Sequence, residues 1–148
     1  MLISSTKHQF DVLFLLETFL KPNTPDCIYN VAGFTLFCKD RCGDKGGGGI
    51  IAFVSEKLKV KRTDELEDDD LEIMWLHINP FNSSRPILCE GLYRPPSSNI
   101  IVDERIEKNI ESAYLKNKEI HIMGDFNIDY LKTVVFNHHP LSKALKSM

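Results

Sequence analysis

The residues best suited to chemistry lie at positions 124–127, where Gly124 is followed by Asp125 and Asn127. The apolar run at 120–123 leads directly into them and predicts a strand, so the acid and the amide stand at its carboxyl end. A carboxylate can take a proton or help to bind a divalent cation, and a neutral amide can donate to a phosphoryl oxygen. This pair therefore indicates a site that holds and attacks a phosphate.

A second carboxylate, Glu17, follows an apolar run at residues 10–16. That run does not alternate, which is typical of a strand buried on both faces. A charged side chain is rarely buried there unless it is paired or bound to metal, although Glu17 could simply begin the loop at the strand edge. Together with Asp125 it favours a hard-cation site, because Mg²⁺ is typically held by one or two carboxylates plus waters and substrate phosphate.

Tyr93 ends another predicted strand, at residues 87–93, and Arg94 follows it. The phenol could donate to a phosphate oxygen, and the guanidinium could add positive charge beside it. The simpler interpretation is a tyrosine packed on its neighbours, with Pro95 and Pro96 shaping the exit of the chain. On the residues alone the simpler interpretation is favoured.

Four other patterns predict no site. The glycines at 46–49 lead into a strand rather than into a helix that opens with Gly-Lys-Ser/Thr, so we expect a flexible loop and no phosphate loop. The acidic run at 64–70 has no spaced ligand pattern and is expected to be a solvated loop. The histidines are expected to be structural or exposed, and the four cysteines have no spacing typical of zinc.

The elements that must position these residues are mostly strands. Strands are also predicted at 34–38, 50–54, 58–61 and 71–78, and the strand that leads into Asp125 is predicted at 119–123. A helix is predicted at 99–116, with Asn99 as its N-cap. A further helical pattern begins near Pro140. The long helix should bury a stripe flanked by Ile101 and Ala113, which consists of Val102, Ile106, Ile110 and Tyr114. Six or seven strands with one convincing helix indicate a sheet-rich α+β or layered fold.

Composition bounds the class of protein. The 148 residues predict at most one domain, and a hydrophobic fraction of 43% with 26% charged residues is ordinary for a globular protein. The net charge of −3 gives no global electrostatic sign of a nucleic-acid partner. The chain lacks a signal-peptide pattern and any apolar stretch near the roughly 18 residues of a membrane span. We expect a soluble intracellular protein of the nucleus or cytoplasm, with no membrane partner; its oligomeric state is not indicated.

Four segments, taken in order, resemble one family, the endonuclease/exonuclease/phosphatase superfamily. Residues 10–18 are similar to its strand with a metal-binding glutamate, and 47–54 to its glycine-led strand. Residues 91–97, Gly-Leu-Tyr-Arg-Pro-Pro-Ser, resemble a form frequent in the endonuclease domains of non-LTR (LINE-type) retrotransposons. Residues 124–127, Gly-Asp-Phe-Asn, match the superfamily's most recognisable motif.

The resemblance implies a four-layer α/β/β/α sandwich of the DNase I-like type and Mg²⁺-dependent phosphodiester hydrolysis of DNA, with Mn²⁺ as an alternative ion. By position, Glu17 would bind the metal and Tyr93 would contact the scissile phosphate. Asp125 would position or deprotonate the attacking water, and Asn127 would orient the phosphate. The metal would act as a Lewis acid on the phosphoryl and leaving oxygens.

The chain departs from the family pattern at both ends. The family's first strand bears an asparagine and its last motif is Ser-Asp-His, and neither is found here. Residues 1–148 are therefore expected to form one partial domain with impaired catalysis, since catalytic groups acting as a unit are strongly non-additive. The alternatives are a non-catalytic remnant or interaction domain that keeps the sandwich core, and a phosphatase acting on lipid or small-molecule phosphates.

Overall fold

The fold is known from a computed structural model that describes residues 10–20, 29–40, 48–80, 85–116 and 119–128. This part of the chain holds seven strands, one long helix and a 3₁₀ turn at Asp64–Leu66. The strands are β1 (Val12–Leu16), β2 (Phe34–Lys39), β3 (Ile50–Ser55), β4 (Lys59–Arg62), β5 (Glu72–Asn79), β6 (Ile87–Tyr93) and β7 (Ile120–Asp125), and the helix is α1 (Ile100–Lys116). The helical pattern expected from Pro140 lies outside the described residues.

The strands form two sheets. The first has three antiparallel strands in the order β1-β3-β2, and the second has four in the order β4-β5-β6-β7. All pairs of the second sheet are antiparallel except β6 and β7, which run parallel. Parallel neighbours need a long crossover, and α1 supplies it. The carboxyl ends of β6 and β7 therefore lie at the same edge.

Two apolar cores hold the layers together. Between the sheets, alternate residues of β3 face alternate residues of β5; they are Ile50, Ala52 and Val54 against Met74, Leu76 and Ile78. On the other face of the second sheet, α1 packs over Trp75, Leu88 and Leu92. These described layers, helix on sheet on sheet, confirm the expected α+β class and a partial α/β/β/α sandwich. No described helix covers the outer face of the first sheet, and none is long and apolar enough to cross a bilayer.

The start of α1 agrees with its predicted cap. The Asn99 side-chain oxygen accepts from the backbone N–H groups of Ile101 at 3.1 Å and Val102 at 3.2 Å. These bonds satisfy amides that have no partner within a helix, which is why asparagine is favoured at this position. Ile101 itself is exposed, so its predicted place beside the buried stripe is wrong.

The buried stripe of α1 is shifted at its end. Ile106, Ile110 and Ala113 are buried as predicted, but Tyr114 is 41% exposed. An α-helix has 3.6 residues per turn, so a strict four-residue spacing drifts around the axis with each step. After three steps from Val102, the inward position has passed to Ala113. The prediction that Tyr114 is buried is therefore wrong.

The acidic run also differs from the expected solvated loop. Glu67 accepts from the Arg62 guanidinium at 2.8 and 2.9 Å, and from Lys39 at 3.2 Å. Asp68 accepts from Arg105 of α1 at 3.0 Å. Two carboxylates of this run thus join the first sheet, the second sheet and the helix, because basic side chains from all three layers reach them.

Candidate active site

A close approach of the two sheets places the site. Phe14 of β1 packs directly on Gly91 of β6, where an added Cβ would overlap the phenyl ring. Only a glycine leaves room for the ring at this point. Glu17 lies three residues beyond Phe14, and Tyr93 lies two residues beyond Gly91, so the contact brings both side chains to one end of the sandwich.

Tyr93 and Glu17 meet across the sheets. The Tyr93 hydroxyl donates to Glu17 Oε1, although the two residues are 76 positions apart in sequence. Tyr93 is buried, whereas Glu17 is exposed. The backbone of Glu17 has a φ of 52°, in the left-handed region. The ring of Tyr93 is packed among its neighbours, as the simpler interpretation of this residue expects. Its hydroxyl, however, is held at the candidate site by Glu17.

A row of side chains extends this contact across the second sheet. Glu72 pairs with Tyr93 in register, and Tyr93 pairs with Asp125. The hydrogen bond to Glu17, burial, and the charges of Glu17, Asp125 and Glu72 raise the pKa of Tyr93 to about 12. The phenol therefore stays protonated, as a donor, throughout the neutral range. Three carboxylates around one hydroxyl also give the site a negative potential that would repel a phosphate unless a cation were bound.

Two glycines connect Glu72 to the loop after β1. Gly49 donates its N–H to Glu72 Oε2 at 2.7 Å, while the carbonyl oxygens of Gly48 and Gly49 accept from Phe19 at 2.9 Å and Thr18 at 3.3 Å. Both glycines have φ near 90°, a region that side chains disfavour, and a Cβ on Gly48 would overlap the Glu72 carboxylate. The described end of the glycine run is thus buried and hydrogen-bonded rather than an open flexible loop.

The Asp125–Asn127 turn is held by backbone bonds to β6. Arg94 donates its N–H to the Asp125 carbonyl at 2.8 Å, and the Arg94 carbonyl accepts from Asn127 Nδ2 at 2.9 Å. The Asn127 N–H donates to Asp125 Oδ1 at 3.0 Å. Asn127 has φ of 47°, a conformation that asparagine tolerates better than most residues. The amide is oriented through one of its two N–H groups, and the other has no acceptor among the described residues.

The Arg94 side chain serves the fold instead of the site. Its guanidinium is buried and donates to Asp103 Oδ1 of α1 at 2.6 Å. It also donates to the carbonyl oxygens of Ser98 at 3.3 Å and Phe126 at 3.4 Å. A guanidinium enclosed in this way cannot also reach a substrate, so the phosphate contact predicted for Arg94 is wrong. The buried Asp103 acts as its counter-ion and could not be foreseen from position 94.

An apolar groove leads up to the acids. It runs between β1 and β7, has a volume of about 270 Å³, and ends at Asp125. Its walls are Val12, Leu13, Phe14, Leu16, Met123 and Gly124. Among the described lining residues, Asp125 is the one with a polar side chain, and it is exposed.

The residues at this end suit a hard divalent cation. Glu17 and Asp125 both present exposed carboxylate oxygens, the donors that Mg²⁺ prefers. Within the described ranges no group of three or more acid, histidine or cysteine side chains could hold a metal ion. Mg²⁺ is typically held by one or two carboxylates together with waters and substrate oxygens, and the described residues at this end offer two such carboxylates.

Of the sequence-predicted residues, the fold gathers Glu17, Tyr93, Asp125 and Asn127 at one end. Glu72 was not predicted as a site residue, although a charged residue at the start of a mostly apolar strand was visible as a signal. Its importance depends on register with Tyr93, which only the sheet reveals.

A family model described as "Endonuclease/Exonuclease/phosphatase family" matches residues 5–145, nearly the whole chain. The chain belongs to the endonuclease/exonuclease/phosphatase family. This confirms the resemblance found in the four sequence segments. No curated protein sequence matches this family member.

Solved structures share the fold of this family member at low identity. The catalytic domain of human Nocturnin with a bound sulfate anion has a TM-score of 0.58 at 13% identity, covering 80% of this chain and 52% of its own. The endonuclease domain of TRAS1, a telomere-specific non-LTR retrotransposon, has 0.52 at 22%, covering 67% and 43%. ANGEL2, a 2′,3′-cyclic phosphatase, has 0.52 at 21%, covering 79% and 39%. This chain thus spans about half the length of these structures or less.

Proposed function

We propose that this chain is a divalent-cation-dependent phosphodiesterase of the DNA endonuclease type. The observation that carries the proposal is the hydrogen bond from Tyr93 to Glu17, with Asp125 in register beside Tyr93. It brings a donor and two acids from both sheets to the end of an open groove. A hydroxyl donor, exposed carboxylates and an amide are the groups that phosphodiester hydrolysis needs.

Each residue has a distinct proposed role. Glu17 holds the cation, and Tyr93 donates its hydroxyl to a non-bridging oxygen of the scissile phosphate. Asp125 orients the attacking water and takes its proton. Asn127 donates its remaining amide hydrogen to the same phosphate, and its bond to the Arg94 carbonyl fixes the direction of that hydrogen.

We propose Mg²⁺ as the ion, with Mn²⁺ as a substitute. When bound, it supplies Lewis-acid stabilisation of the charge that develops on the phosphoryl oxygens. The negative potential of Glu17, Glu72 and Asp125 favours its binding. Because few protein ligands are offered among the described residues, we expect loose binding and slow turnover.

DNA is the proposed substrate, and a non-LTR retrotransposon the proposed parent element. Support comes from the Gly-Leu-Tyr-Arg-Pro-Pro-Ser segment at 91–97 and from the fold shared with the TRAS1 endonuclease domain. A phosphatase is the competing proposal, and the fold shared with ANGEL2 supports it. The two differ in substrate size, so they can be separated by assay.

Nicking of supercoiled plasmid DNA tests the proposal. The wild-type chain should nick plasmid with Mg²⁺ but not with excess chelator, and Asp125→Ala should abolish nicking. Glu111→Ala, which removes an exposed acid on α1, is the matched control and should nick like the wild type. Equal nicking by Asp125→Ala, or none by folded wild-type protein, would contradict the proposal.

A thermal melt separates the non-catalytic alternative. Binding of Mg²⁺ to the folded state alone should raise the melting temperature of the wild type more than that of Glu17→Gln. Cooperative unfolding with no Mg²⁺ shift and no nicking would favour an interaction domain. Release of phosphate from small monoesters without any nicking would favour the phosphatase.

A further inference from the structure

Phe19 is an aromatic side chain that the fold holds out in solvent. It is 63% exposed and lies two residues beyond Glu17. Its backbone N–H donates to the carbonyl oxygen of the buried Gly48 at 2.9 Å. The segment that carries the ring is therefore fixed at the rim of the candidate site.

The backbone at Phe19 is unusual. Its φ of 56° is in the left-handed region, which bulky residues rarely adopt. In the described part of the chain, three non-glycine residues have positive φ; they are Glu17, Phe19 and Asn127. All three belong to the loops at the candidate site, and strained residues of this kind cluster where ligands are bound.

A single exposed hydrophobic residue is ordinary and needs no explanation by itself. Phe19 differs in two respects. Its ring is exposed and so contributes little buried surface to the fold, and its backbone has a conformation that glycine would adopt without strain. The other large exposed hydrophobic residues of the described chain lie on α1 or β7, in regular structure. A ligand that uses the ring is a physical reason for a phenylalanine at this position.

We propose that Phe19 is a stacking platform for a nucleobase of the substrate, next to the phosphate that Tyr93 contacts and close to the cation that Glu17 holds. The proposal rests on the proposed function and narrows its substrate to a polynucleotide with an accessible base. Bases along one strand are about 3.4 Å apart, so a base adjoining the scissile phosphate can reach a ring two residues from Glu17. Stacking on an aromatic side chain tolerates any base, because every base has a π-face.

Binding of fluorescently labelled single-stranded oligonucleotides, followed by anisotropy, tests this role. Phe19→Ala should weaken binding by about 5- to 150-fold, the range that corresponds to loss of one base stack. Phe19→Trp keeps an aromatic face and should bind like the wild type. The matched control is Tyr114→Ala, which removes an exposed aromatic ring from α1 and should leave binding unchanged.

An abasic substrate identifies the base as the partner of the ring. On an oligonucleotide with abasic residues flanking the central phosphate, wild type and Phe19→Ala should bind equally. Equal binding of the two proteins to the base-bearing strand would overturn the proposal, as would an equal loss on both strands. Failure of the wild type to prefer the base-bearing strand would also overturn it.

Measuring cleavage of the same oligonucleotides, alongside binding, keeps the two proposals apart. Binding that depends on Phe19 without any cleavage would refute the phosphodiesterase function and leave the stacking role intact. Cleavage that is lost in Asp125→Ala but unchanged in Phe19→Ala on both strands would refute the stacking role and leave the phosphodiesterase function intact. Unchanged thermal melting of Phe19→Ala is expected, because the ring has little buried surface to lose.

Discussion

Glu90 is a buried acid in the middle of β6, and its burial predicts that the stability of this protein depends on pH. Its side chain is 0% exposed, and neither carboxylate oxygen has a hydrogen-bond partner in the part of the chain that the structure describes. Trp75 and Ile122 lie beside it on the neighbouring strands, and the same face packs under α1. Burial in these apolar surroundings raises the pKa of Glu90 to about 8.

The magnitude follows from linkage between folding and protonation. Below pH 4.5, the ordinary value, Glu90 is protonated in both states and its contribution is constant. Between pH 4.5 and about 8, the unfolded chain releases a proton that the folded protein keeps. Stability then falls by about 1.4 kcal/mol per pH unit, or about 5 kcal/mol in all. That loss is comparable with the whole stability of a marginal domain.

Urea unfolding at several pH values measures this effect, with Trp75, the single tryptophan, as the fluorescent probe. Glu90→Gln keeps the shape but cannot ionise, so it should lose far less stability than the wild type between pH 5 and 8. Glu111→Gln, an exposed acid on α1, should follow the wild-type profile. Parallel profiles for wild type and Glu90→Gln would refute the reasoning.

Two further substitutions test the contacts that support the site. Asp103→Ala leaves the buried Arg94 guanidinium without its counter-ion. It should lower the free energy of unfolding by about 3–5 kcal/mol in urea titrations. Glu104→Ala, which removes an exposed neighbouring acid, should not have this effect. Gly91→Ala should cost about 1–3 kcal/mol through overlap with Phe14, and Phe14→Leu in the same chain should recover part of it; a wild-type midpoint for Gly91→Ala would contradict the packing.

Local sequence patterns predicted the elements well because each carries its own signal. Apolar runs marked the strands, as at 87–93, where the predicted bounds are those observed. Asn99 marked the start of α1 through a bond that depends only on nearby residues. The family motifs then indicated Glu17, Tyr93, Asp125 and Asn127 as members of one site.

Contacts between distant segments could not be predicted in the same way. The partner of Arg94 is Asp103, on the helix that packs against it, and nothing at position 94 indicates that pairing. The place of Glu72 beside Tyr93 requires the strand register, and the role of Gly91 requires the distance between the sheets. Each of these depends on how layers pack, which periodicity within one segment does not contain.

The central claim is that Glu17 and Asp125, from opposite sheets, act in one phosphodiester-cleaving site. A double-mutant cycle on the initial cleavage rate of an oligonucleotide tests it, with Glu17→Ala, Asp125→Ala and the double variant. If the residues act as a unit, the double variant should be about as slow as the slower single variant. Losses that multiply as for independent groups, or a wild-type rate for Glu17→Ala, would contradict the claim.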